Sequence, residues 1–140
     1  SKKIGNLRVP GKLMLHMRSS PCVRIDITTD ERVKLLMEDY PHLVRDTSLL
    51  LSQLAYLIPL HGHEKISGWR SLAESGAIAA LVEALLKEHY DPAYLKSIDR
   101  NFEGYKKAVV IEMPDISEAS FRAAAATLTA TVSAMGTQPA

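Results

Sequence analysis

Four clusters of residues in this chain have side chains able to do chemistry. His61-Gly62-His63-Glu64 sets two imidazoles and a carboxylate side by side. Such a group holds zinc when a further ligand completes it, and His89 or His42 could supply that ligand only through the fold. A polar surface turn is the favoured alternative. Cys22 is a candidate nucleophile, but no histidine neighbours it and it opens an apolar stretch. A small buried apolar side chain is therefore the better reading. Tyr90-Asp91-Pro92-Ala93-Tyr94 offers two phenols and a carboxylate. It is either a helix start with two packing aromatics or a polar corner facing a ligand. Finally, Ser1 to Ile25 holds Lys2, Lys3, Arg8, Lys12, Arg18 and Arg24 with no acidic residue. Such a stretch attracts an anionic partner such as RNA or a nucleotide, unless charges elsewhere cancel it.

The motifs of several enzyme classes are missing. There is no G-x-x-x-x-G-K-[ST] phosphate loop, no G-x-G-x-x-G, and no G-x-S-x-G elbow. A single cysteine excludes an internal disulfide framework and zinc-ribbon spacing. No complete catalytic set is present, and no metal site is assigned.

These residues must be held by elements the sequence itself suggests. With 140 residues, 46% of them apolar, the chain suffices for one modest core. No apolar run is long enough to span a bilayer, and no signal pattern opens the sequence. Together with the lone cysteine this points to the cytoplasm. Ser1–Pro10 reads as a loop, and Lys12–Arg18 as a short helix with Leu13 and Met17 on one face. Cys22–Thr28 alternates apolar and polar residues, as a strand does. Thr28 and Glu31 form a capping box for a helix striped by Val33, Leu36, Met37 and Tyr40 and ended by Pro41. Thr47–Ile58 reads as a helix stopped by Pro59, Leu60–His63 as a turn, and Glu64–Glu74 as a helix weakened by Gly68. After Ser75-Gly76 the strongest helix runs over Ala77–Tyr90, with Ile78, Leu81, Val82, Leu85 and His89 on one face. Asp91 then caps a new helix with Pro92 at its first position, carrying Tyr94, Leu95, Ile98 and Phe102. Lys107–Met113 reads as a buried strand. Asp115 and Glu118 are placed to cap a last helix striped by Phe121, Ala125, Leu128, Val132 and Met135. Two buried-type strands separated by helices imply an α/β fold, predominantly helical, with the two strands parallel. Two strands make a poor sheet alone, so the topology is that of one partial domain.

Three segments carry a family resemblance. Ser1-Lys2-Lys3-Ile4-Gly5, then Val9-Pro10 and the helix with Met14 and Met17, is similar to a stretch of the tRNA 2-selenouridine synthases that reads Glu-Ser-Arg-x-Ile-Gly, then Leu-Pro. Val23 to Tyr40, with Val-Arg-Ile-Asp-Ile, Glu-Arg-Val-Lys-Leu-Leu and Glu-Asp-Tyr, resembles the next strand and helix of that family. Glu88-His89-Tyr90-Asp91-Pro92-Ala93-Tyr94 resembles its late Glu-x-Tyr-Asp-Pro-x-Tyr signature. The three are collinear and span most of the chain.

The resemblance implies the C-terminal half of a P-loop NTPase-like domain, with a lid-like helical region at about 46–75. Enzymes of this family replace sulfur by selenium in wobble 2-thiouridine of tRNA. Selenophosphate is the donor, and a geranylated intermediate implies geranyl diphosphate. Their rhodanese-like domain with its active cysteine, and the N-terminal P-loop half, lie outside this sequence and become implied partners beside tRNA. No catalytic residue is then assigned in this chain, no cofactor is bound by it alone, and Cys22 does not inherit the catalytic role. Lys2, Lys3, Arg8, Arg45 and Arg70 become candidate tRNA or phosphate contacts, and Tyr90, Asp91 and Tyr94 candidate pocket residues. Two other readings compete: a kinase-like P-loop protein handling a nucleotide or phosphate, and a non-catalytic helical interaction module.

Overall fold

The computed structural model describes residues 3–41 and 46–136. It divides into two compact units, one made of Ser1–Ile27 and Ala93–Ala140, the other of Thr28–Pro92.

The first unit opens with a hairpin where the sequence suggests a loop. Strands β1 (Lys3–Ile4) and β2 (Leu7–Arg8) pair antiparallel, Lys3 opposite Arg8. Gly5, with φ +57°, takes the first position of the two-residue turn, where a residue with a Cβ would be strained. Helix α1 (Gly11–Ser19) follows. None of its residues is fully buried, and Leu13, Leu15 and Met17 are exposed.

Strands β3 (Val23–Ile27) and β4 (Val109–Met113) pair in parallel, in register from Val23–Val109 to Ile27–Met113. This is the pairing expected from two β-branched segments separated by helices. The connection between them contains the whole second unit. One face of the pair packs on the last helix: Ile111, Met113 and Ala124 are buried, with Val23, Ile27 and Leu128 against them.

Two further features of this unit depart from expectation. The last helix (Glu118–Gly136) buries Ser120 and Ala124 and leaves Phe121 and Val132 about half exposed. Its inward stripe therefore keeps Leu128 from the one read off the sequence but takes Ser120 and Ala124 in place of Phe121 and Ala125. Its cap is Ser117, whose hydroxyl accepts from the Ser120 N–H, while Asp115 accepts from the Ser117 N–H and the Ser120 hydroxyl. A serine at the cap position does for the first turn what was assigned to Asp115.

The second unit is all helical. Helix α2 (Thr29–Asp39) starts at Thr28, whose hydroxyl accepts from the Glu31 N–H at 3.3 Å. Helix α3 (Thr47–Ala55) is capped by Asp46, which accepts from the Leu49 N–H at 2.9 Å. Helix α4 (Ile58–His61) is a separate turn with Pro59 near its start, so this proline opens a helix rather than closing one. Only Gly62, at φ +82°, breaks the chain before α5 (His63–Glu74). The expected Leu60–His63 turn thus shrinks to one residue. Gly76, at φ +76°, ends α5 in a Schellman arrangement, with the Ala77 N–H on the Leu72 carbonyl at 2.9 Å. Helix α6 (Ile78–Leu85) runs into a π-helical turn (Leu86–Tyr90) and on into α7 (Asp91–Asn101).

Asp91 is therefore not a cap. Its backbone is helical, at φ −62° and ψ −46°, and its N–H donates to the Leu86 carbonyl. The wide turn has a local cause: a proline ring in a regular helix collides with the carbonyl four residues back, and a π turn relieves the crowding at Pro92. The core of this unit is Leu50, Leu54, Ile66, Trp69, Ala73, Ile78 and Leu81.

Candidate functional site

The π turn is where chemistry-bearing side chains converge. Asp91 forms a bidentate ion pair with Arg32 of α2, both oxygens 2.7 Å from guanidinium nitrogens. A planar fork on a carboxylate is the strongest common ion-pair geometry. Both side chains remain a little over a quarter exposed, so solvent screens the pair in part. The hydrogen bonds to Asp91 push the arginine pKa further up, against a smaller opposing effect of burial. Asp91 thereby fastens the turn to α2, 59 residues away in sequence.

Two residues before Asp91, His89 Nδ1 lies 2.9 Å from His61 Nε2. The rings meet edge-on at 80°, and His61 also meets Trp69 edge-on with centroids 5.1 Å apart. Lys65 and Glu88 pair at 2.7 Å beside them. The His61 pKa is lowered, first by burial and then by the fields of His89 and Lys65, with Glu88 opposing. Each of the first three effects works against the charged imidazole.

Arg32, His89 and Tyr90 border a cavity of about 850 Å³ within the second unit. Its walls are apolar, from Leu36, Met37, Leu54, Leu81, Val82 and Leu85, while Tyr40, Tyr56 and Gln53 add polar groups. Tyr40, Tyr56 and Tyr90 are each about half exposed or more, which sets phenols toward solvent and hydrocarbon within. An apolar cavity with a few polar groups is the usual form of a small-molecule site. This one suits a ligand with a hydrocarbon body and a polar or anionic end.

The other candidate residues are dispersed. Lys2, Arg45 and His42 lie outside the described residues, as does the side chain of Lys3. Arg8 is exposed on β2. Arg70 is exposed on α5, 3.9 Å from Glu74. Tyr94 belongs to the first unit and is half exposed. Two cations of the basic stretch are already engaged: Arg18 donates to Asn101 Oδ1 at 3.3 Å, and Arg24 forks onto Asp26 at 2.7 Å. Asp26 and then Tyr105 hold the Arg24 guanidinium in its charged form.

Cys22 is half-buried rather than buried, its thiol 3.7 Å from the Ser20 carbonyl. His63 begins α5 and leaves His61 to pair with His89. Among the described residues no three His, Cys, Asp or Glu side chains are grouped to hold a metal ion, and no helix is long and apolar enough to cross a membrane.

Arg32 and the cavity escaped the sequence reading. The position of His89 on the apolar stripe read over Ala77–Tyr90 was a sign in the sequence that an imidazole turns inward here. Comparison with family models, with curated proteins and with solved structures finds no match to the chain.

Proposed function

We propose that this chain is the C-terminal part of a tRNA 2-selenouridine synthase, a cytoplasmic enzyme that exchanges sulfur for selenium in wobble 2-thiouridine. The observation that carries the reading is the Arg32–Asp91 fork. Arg32 belongs to the Glu-Arg-Val-Lys-Leu-Leu segment and Asp91 to the Glu-His-Tyr-Asp-Pro-Ala-Tyr segment, so two stretches that each resemble the family are clamped together beside one cavity. The parallel β3–β4 pair is in keeping with a half-sheet that continues in a P-loop domain.

On this reading the apolar cavity receives the geranyl chain of the intermediate, with Tyr90 and Arg32 at the polar end. The selenophosphate chemistry belongs to the rhodanese-like domain and the N-terminal P-loop half, with which this part would pair. Lys3, Arg8 and Lys12 offer contacts to the tRNA backbone that would weaken steeply as salt rises.

The test is binding of one tRNA in two forms, with geranylated 2-thiouridine and with plain 2-thiouridine, to the purified chain. The geranylated form is expected to bind at least tenfold tighter, and Val82→Trp, which fills the cavity, is expected to erase the difference. Equal binding of the two forms would refute the assignment. The chain alone is expected to show no selenium transfer with selenophosphate, and turnover there would relocate the catalytic residues.

A further inference from the structure

We propose that His61 and His89 form a proton-operated latch on the π turn that carries Tyr90 and Asp91. The latch stands on the geometry of the second unit and does not depend on the transferase reading. Nε2 of His61 and Nδ1 of His89 are 2.9 Å apart. A hydrogen bond between two imidazoles needs one N–H and one lone pair. It exists when both rings are neutral, and it strengthens when one carries a proton, because the donor is then charged. When both are protonated each nitrogen is a donor, no lone pair faces the other ring, and two like charges meet. The second proton therefore opens the contact.

The surroundings set the threshold. His61 sits on α4 with the Trp69 ring of α5 against its edge. The charged groups facing it are Lys65 of α5 and Glu88 of the π turn, which are paired with one another at 2.7 Å. Glu88 is thus partly occupied by Lys65 and offers limited relief to a second imidazolium. Burial further disfavours the charged ring.

The mechanical connection is short. His89 precedes Tyr90 and Asp91 in a turn that already departs from regular helix, and both His89 and Tyr90 line the cavity. On the other side His61 is followed by Gly62, at φ +82°, the single non-helical residue between α4 and α5. Closure of the pair holds the turn against α4. Its opening frees one wall of the cavity while the Arg32–Asp91 fork still anchors the other end.

The experiment is an NMR titration of the full chain from pH 7.5 to 5, following the ring-carbon resonances of all histidines and the ring resonances of the tyrosines. His61→Gln and His89→Asn serve for assignment. The His61 ring signals are expected to shift at a pH below the ordinary histidine range, with the Tyr90 signals moving in the same step. Glutamine at position 61 keeps a polar nitrogen or oxygen near the Nε2 position and does not titrate, so His61→Gln is expected to flatten the Tyr90 response. A Tyr90 response at a pH different from that of the His61 ring, or one that survives in His61→Gln, would overturn the latch. Should His61→Gln fail to fold, the wild-type titration and His89→Asn decide the matter by the same criteria.

Discussion

The two units handle apolar surface in opposite ways. In Thr28–Pro92 the core side chains are sealed, with Leu54, Ile66 and Leu81 at 2% exposure or less and Trp69 at 3%, while Leu49, Tyr56 and Leu60 stay exposed. Among the described residues the helices and the π turn pack around one core, and a cavity lies beside Arg32 and Tyr90. In the other unit Ile111, Met113 and Ala124 are the buried apolar residues, while Ile25, Val109, Val110, Phe121 and Val132 are each at least 40% exposed. The difference follows from architecture. Amphipathic helices close a core among themselves, whereas parallel strands are stable when both faces are covered and both edges are paired. The described β3–β4 sheet has two strands and so two open edges. The helical unit carries its own stability, and the sheet unit has the surface of a structure that gains from further strands.

The largest expected effect tests the sealed core. Trp69→Ala removes an indole at 3% exposure, and Leu81→Ala a side chain at 1%. Each is expected to lower stability by about 3–5 kcal/mol, seen as an early helical transition in urea by circular dichroism. A change below about 1 kcal/mol would show that this core is looser than its burial implies.

Next is Gly104 in the sheet unit. A Cβ there would stand 2.7 Å from the Ser20 carbonyl and 3.2 Å from the Cys22 nitrogen, both backbone atoms. Gly104→Ala is expected to cost about 1–3 kcal/mol. Hydrogen exchange should quicken in β3 and β4 while the protection of α5 and α6 stays unchanged. Equal loss in both regions would show that the two units unfold as one.

A smaller effect is expected from Asp91→Asn, which keeps the shape and removes the charge from the fork. The pair is partly solvated, so about 1 kcal/mol is lost. A double-mutant cycle with Arg32→Met measures the coupling, and a coupling near zero would remove Asp91 from its anchoring role.

The smallest effect is that of pH. The folded His61 pKa lies below its ordinary value, so the unfolded chain binds a proton first on acidification. The stability from neutral His61 is fully present above the ordinary histidine range, near 6.5, and is lost as pH falls through the folded value. Melting at pH 5 should fall slightly below that at pH 7.5, and His61→Gln should narrow the gap.

Local signals were legible and distant ones were not. Thr28 and Glu31 mark the start of α2 as their spacing suggests, and Val23, Ile25 and Ile27 lie in a strand paired in parallel with the second apolar run. The Gly5 hairpin was hidden because two residues per strand give no alternation to read. Pro59 misled because proline both ends one helix and suits the first turn of the next, whereas Pro92 does lie in the first turn of a helix and the π turn leading into it removes only the cap role of Asp91. For the candidate site, Tyr90 and Asp91 stood out by residue type, but the partner of Asp91 sits in another helix, where nothing in Glu31-Arg32-Val33 marks an ion pair. Arg70 entered through the resemblance and its lid-like region and the basic N-terminal stretch first through its charge, and neither specifies convergence. The last helix shows the same limit in packing. Its alanines make several stripes nearly equal in hydrophobicity, so the choice between Phe121 and Ser120 as the inward residue falls to the Asp115 hydrogen bond.

The pairing of Val23 with Val109 sets an order of events during folding. A strand laid down early must wait for a partner made after the entire helical unit has been synthesised. Joining strand ends across so long a flexible segment is entropically costly and slow. If the segment has already collapsed into helices held by Trp69 and Leu81, the search shortens. The helical unit then acts as a folded spacer, and the sheet forms last. A nascent chain released early would hold a completed bundle and a solitary apolar strand, Val23–Ile27, exposed to aggregation until Val109–Met113 arrives.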